Sequence, residues 1–174
     1  MSTININNSD DENYRYKMPK VSIKLGGAGN GIFTTINNME EIADALNTPS
    51  DIIYKYIAYT LGSAFNEKKK TFTGHHKNIQ DIIFDYITFF VICPSCSIPE
   101  LTYSLDKINS KKYNLISKCS SCGNSHILKS TNKINEKCMD SIIKFMQKMN
   151  TWTTKKGNMV EQQNSNFILS PDQE

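Results

Sequence analysis

The chain has 174 residues with 20 basic and 17 acidic side chains, a formal net charge of +3 and five cysteines. A charge that small does not argue for nucleic-acid binding by itself, and no apolar run reaches the roughly 18–20 residues that a bilayer-spanning helix needs. Nineteen of the basic residues are lysine and one, Arg15, is arginine. With 19 asparagines and 22 isoleucines, this is the bias of AT-rich codons.

Residues 1–13 are polar and acidic, unlike a secretory or mitochondrial leader, and read as the flexible leader of a soluble cytosolic protein. From Tyr14 to Lys24 the chain runs YRYKMPKVSIK, an extended segment in which basic residues alternate with aromatic and apolar ones. A glycine-rich turn from Gly26 to Gly31 and a β-like stretch from Ile32 to Ile36 complete a hairpin. Asn38, with Glu41 three residues on, makes a capping box for a short helix presenting Ile42, Ala45 and Leu46. Thr48-Pro49 starts a second helix, cap then proline, with Ile52, Ile53, Tyr56, Ile57 and Thr60 inward. Residues 63–74, with Lys68, Lys69 and Lys70, read as a strand or exposed hairpin. A third helix from about Lys77 to Phe90 buries Ile79, Ile82, Ile83, Tyr86, Ile87 and Phe90. A ribbon takes up 91–130. A last helix over 131–150 carries Ile134, Cys138, Ile142, Phe145, Met146 and Met149, and a polar tail over 151–174 is interrupted by Trp152 and Phe167-Ile168-Leu169. The fold class is α+β: an α/β module over 14–90 followed by a four-cysteine zinc ribbon.

Four cysteines form two pairs, Cys93-x2-Cys96 and Cys119-x2-Cys122, with 22 residues between them. A CxxC turn lets two thiolates converge on one tetrahedral ion, and a hairpin between the pairs carries the second turn over the first. Pro94 stiffens the first turn, and Gly123 can take a positive φ after the second. Two disulfides or a redox pair are the competing readings. In a chain without a leader, zinc is favoured, as one structural ion. His126 is an alternative ligand, but the two pairs already fill four positions. Cys138 reads as a core residue.

The glycine turn, GGAGNG, lacks the Lys-Ser/Thr of a Walker loop and sits between two strands, so intrinsic nucleotide binding is not expected. Flanked by Lys17, Lys20 and Lys24, it can press backbone amides against an RNA phosphate chain. A tight β-turn with solvated lysines accounts for it equally well. His75 and His76 read as loop residues. No nucleophile–base pair is visible, which disfavours a self-contained enzyme. Arg15 stands apart: Tyr14 and Tyr16 flank it and can restrict its guanidinium, and a mobile segment can present it to a partner. An arginine finger supplied in trans has that requirement.

YRYKMPK, the GxGNGI turn, Tyr54-Lys55-Tyr56 and Leu61-Gly62 in the helix pair, Ile79-Gln80-Asp81, and FVICPSCSIPE leading to KCSSCG closely resemble the N-terminal domain of the eukaryotic translation initiation factor five family. The resemblance covers about residues 10–145. The ribbon and the helices before it also fit the β subunit of initiation factor two. The resemblance implies a fold like initiation factor one followed by the ribbon, and a monomer that associates with no membrane. It implies a GTPase-activating protein for the γ subunit of initiation factor two with its GTP, working on the small ribosomal subunit beside initiator tRNA and mRNA. Arg15 matches the family's proposed finger and Lys55 a lysine linked to the same activity, while Lys24, Gly27, Gly29 and Asn30 fit the RNA-contacting hairpin. Ala28 and Phe33 depart from the pattern where the family has basic residues, which predicts weaker RNA binding and a shallower salt dependence. The family's C-terminal helical-repeat domain has no counterpart here, which reads as a fragment or as a minimal factor from an AT-rich virus or parasite, acting in the host cytoplasm if viral. Two other roles compete: a β-subunit-like RNA-binding component, and a non-catalytic decoy at the start-codon site.

Overall fold

The computed structural model describes residues 2–150. The tail over 151–174, with Trp152 and the Phe167-Ile168-Leu169 cluster, lies outside the described residues.

A strand stands where the sequence predicts a flexible leader. β1 (Thr3–Asn5) pairs antiparallel with β2 (Lys17–Pro19), placing Ile4 opposite Met18. Ile6 and Met18 are buried, and the Asn5 side-chain amide donates to the carbonyls of Ser9 and Asp11, each at 2.7 Å. The correction has a simple cause. Two isoleucines embedded in a polar stretch find an apolar surface through a strand partner more than ten residues away, and no local periodicity announces that.

The glycine hairpin is formed by β3 (Ile23–Gly26) and β4 (Phe33–Ile36). With β5 (Phe65–Asn66) and β6 (Thr71–Thr73) it makes an antiparallel sheet of order β3-β4-β6-β5, so the lysine run 68–70 is the turn of a second hairpin. Thr34, fully buried in β4, donates to the Gly74 carbonyl at 2.7 Å and accepts from the His76 amide at 3.1 Å. Those bonds tie the loop that holds both histidines to the sheet.

Helix α1 (Met39–Ala45) follows Asn38, but the capping box does not form. The Asn38 side chain is buried and faces backwards instead. It accepts from the Ser22 amide at 2.9 Å and donates to the Lys20 carbonyl at 2.8 Å, bracing the entry to β3. Side-chain amides serve either purpose, and here the long-range bonds outcompete the local one. Helix α2 (Ser50–Leu61) begins one residue later than expected. Pro49 has ψ 128, an extended value, so it precedes the first turn. Helix α3 (Ile79–Phe90) buries all six of the residues its periodicity named.

Strands β7 (Leu101–Lys107), β8 (Tyr113–Cys119) and β9 (Ser125–Ile127) form the antiparallel ribbon, and helix α4 (Lys133–Met149) returns from it to pack on α2. Asn132 caps α4 by accepting from the Ile134 amide at 2.8 Å. Cys138, Ile142 and Met146 are buried, and the Tyr59 and Ser141 hydroxyls lie 2.8 Å apart across the helix pair. Met149 ends outside the core, 53% exposed. Tyr103 and Leu115 insert one face of the ribbon into the same core, and Tyr103 donates to the Phe90 carbonyl at 2.6 Å. One continuous core therefore runs from Ile6 to Met146. Among the described residues, no helix is long and apolar enough to cross a membrane.

Candidate functional site

The two cysteine turns are built alike. In the first, the Ser97 amide donates to the Cys93 carbonyl at 2.9 Å and the Cys93 amide to the Ile98 carbonyl at 2.9 Å. In the second, Gly123 donates to the Cys119 carbonyl at 3.0 Å and Cys119 to the Asn124 carbonyl at 2.9 Å. The residue after each pair is left-handed, φ 59 at Ser97 and φ 75 at Gly123. The expectation for Gly123 holds. Ser97 takes the same conformation without being glycine, so nothing in its identity announced it.

The four sulfurs lie within 4.8 Å of one another. Cys93 and Cys122 approach to 3.8 Å and Cys96 and Cys119 to 3.7 Å, far beyond a disulfide. A tetrahedron with metal–sulfur bonds of about 2.3 Å has edges of about 3.8 Å, so the spacing fits one ion held by all four. Electrostatics agree. Burial disfavours a thiolate at Cys93, but the Cys96 and Ser95 amides outweigh it and draw that thiol down to about 7. At Cys96 the Ile98 amide favours the thiolate, yet burial and the sulfurs of Cys119, Cys122 and Cys93 push the thiol up to about 12. Four converging sulfurs thus resist ionising together unless a cation is among them. His126 is not in the set; its Nε2 lies 3.1 Å from the Ser95 hydroxyl. Cys138 is buried in α4, where burial pushes its thiol well up.

At the opposite end, Gly29–Gly31 forms a short 3₁₀ turn closed by the Gly31 amide on the Ala28 carbonyl at 3.1 Å. Lys24, Gly27, Gly29 and Asn30 are all exposed on this tip. Phe33 is 38% exposed, and its ring lies across Gly26, where a Cβ would come within 2.4 Å of it. Gly27 has φ 81, and a Cβ there would sit 2.0 Å from the Gly31 carbonyl oxygen. Gly29, at φ 57, has open space. Gly27→Ala should therefore cost about 1–3 kcal/mol in urea denaturation and Gly29→Ala no more than about 1–2, reversed only if the turn relaxes at Gly31.

Arg15 is exposed between β1 and β2, its guanidinium 5.7 Å from the centre of the Tyr16 ring. The Tyr16 carbonyl accepts from the Ile6 amide at 3.0 Å, and its hydroxyl donates to Glu100 Oε1 at 2.5 Å. Lys55 is elsewhere. Half-buried on α2, it lines a groove of about 870 Å³ between α1, α2, the lysine hairpin and the end of α4, which Arg15 does not line. Lys70 closes one side of that groove by pairing with Asp51 and lying over the Tyr54 ring at 5.1 Å. The structure thus gathers the four cysteines and the hairpin residues, but does not bring Arg15 and Lys55 into one pocket. Glu100 escaped sequence reasoning because its partner is 84 residues away.

A mixed α/β core with a cysteine-paired ribbon defines a small domain class, and residues 6–125 match the family model of the domain found in initiation factors 2B and 5. The chain belongs to that family. It is 43% identical over 115 residues to eukaryotic translation initiation factor 5 of Caenorhabditis elegans, covering 62% of this chain and 26% of that protein. It is 39% identical over 116 residues to the Drosophila melanogaster factor, covering 63% of this chain and 25% of that protein. With the Saccharomyces cerevisiae factor the identity is 37% over 114 residues, covering 62% and 28%. The aligned segment spans about a quarter of the length of these curated relatives.

Proposed function

We propose that the chain is a cytoplasmic translation initiation factor that acts as a GTPase-activating protein for the γ subunit of initiation factor two in the preinitiation complex. Arg15 supplies a guanidinium in trans to the γ-phosphate, and Lys55 supports the same activity from α2. The observation that carries this reading is the placement of the chain's sole arginine: exposed, on a segment held at both flanks, within a motif matching the related factors. The cysteine cluster holds one structural zinc, since sites with four cysteine ligands are closed to substrate. Lys24, Gly27, Gly29 and Asn30 face initiator tRNA and mRNA on the small ribosomal subunit, in a fold like that of initiation factor one. The chain works as a monomer and is no enzyme on its own.

A β-subunit-like component is the second reading, favoured by a family description that reaches beyond factor five. Adding the chain to reconstituted preinitiation complexes charged with GTP separates them. The activator accelerates single-turnover hydrolysis and leaves afterwards. A stable component binds without acceleration, and that outcome would overturn the proposal.

A further inference from the structure

Glu100 lies in the neck between the first cysteine turn and β7. Its amide donates to the Ile98 carbonyl at 3.0 Å, and its carbonyl accepts from the Ser120 amide of the second turn at 3.0 Å. Its backbone is thus gripped by both cysteine turns, while its side chain accepts the 2.5 Å bond from the Tyr16 hydroxyl. Tyr16 in turn carries the Arg15 guanidinium over its ring, meets Tyr14 at 5.9 Å between ring centres, and is fixed through its carbonyl to Ile6. The bond to Glu100 raises the Tyr16 phenol above its ordinary value, which keeps it a donor at neutral pH.

We propose that Glu100 is the positioning residue for Arg15: through Tyr16 it clamps the arginine-bearing segment to the root of the cysteine ribbon. This rests on the GTPase-activating reading above. An arginine finger acts only when its guanidinium is already aimed, and each unaimed conformation lowers the competent fraction. A carboxylate–phenol bond between distant segments restricts that freedom without covering the guanidinium. The ribbon then does more than hold itself together; it is the anchor from which the segment is presented.

Tyr16→Phe keeps the ring beneath Arg15 and deletes only the hydroxyl, and Glu100→Gln keeps the shape and removes the charge. Both variants and the pair are compared with the full chain by amide hydrogen exchange over residues 14–17, by zinc content, and by GTP hydrolysis titrated with each protein. Zinc content should stay constant, exchange over 14–17 should quicken, and the maximal stimulated rate should fall roughly tenfold with little change in the half-saturating concentration. The pair should be no worse than the more severe single variant, as two ends of one bond require. Unchanged exchange and an unchanged maximal rate in both single variants would overturn the clamp, as would losses that multiply in the pair. If the full chain stimulates no hydrolysis, the activator reading fails while the exchange comparison still decides the clamp.

Discussion

Arg15→Met should lower the stimulated single-turnover rate of GTP hydrolysis by roughly 10³-fold or more, with binding to the preinitiation complex retained. Fingers of this kind contribute about 10³–10⁵ in rate, or about 4–7 kcal/mol of barrier. The fold should not suffer, because the side chain is exposed and its described contact is the Tyr16 ring, an arrangement worth about 0.5–1 kcal/mol at an exposed site. Arg15→Lys should recover little. It restores the charge, but an ammonium cannot span two phosphate oxygens as a planar fork does. Equal stimulation by all three proteins removes Arg15 from the chemistry. Stimulation by none, with binding intact, leaves a factor that occupies the start-codon site as a decoy.

Stripping the metal has the second-largest expected effect, and the core geometry bounds it. Cys93, Leu101 and Cys119 form a small buried cluster of their own, apart from the main core. Beyond the sulfurs little apolar surface holds the two turns together, and structural zinc in small sites supplies about 10–16 kcal/mol of apparent binding energy. Chelation should therefore unfold both turns and release about one zinc per chain by elemental analysis. Tyr103 and Leu115 are seated in the main core, so the lower part of β7 and β8 and all four helices should persist. Far-UV circular dichroism should keep its helical signal while amides of the cysteine turns lose exchange protection. A metal-free preparation with those turns still protected would sink the assignment.

How much could be read from the chain depended on the range of the forces involved. Helix α3 was legible because a stripe of apolar residues at helical spacing reports a local face, and all six residues it named are buried. The cysteine pairs were legible for a similar reason: a CxxC turn is a complete local device. Asn38 misled because its amide serves a cap or a distant backbone equally well, and the choice depends on where Ser22 lies. Pro49 misled by one residue because a proline fits just before a helix as well as at its first position. Met149 fits the apolar stripe of α4, yet the helix outruns the surface it packs on. Of the candidate site, Arg15 was visible only as part of a motif. Its anchor on Glu100 was invisible, since two polar residues 84 positions apart carry no shared pattern.

The packing of α4 on α2 also bears on how the protein is made. Helix α2 ends at Leu61, but the surface that covers it, with Ser141 meeting Tyr59, is not reached until Lys133–Met149. At synthesis rates of about 5–20 residues per second, the 88 residues from Leu61 to Met149 take roughly 4–18 s to appear. Through that interval the α2 face that α4 will cover stands open on the growing polypeptide. The core can close only after α4 has cleared the exit tunnel, so this domain completes itself late in its own translation, and chaperones have their opportunity just before.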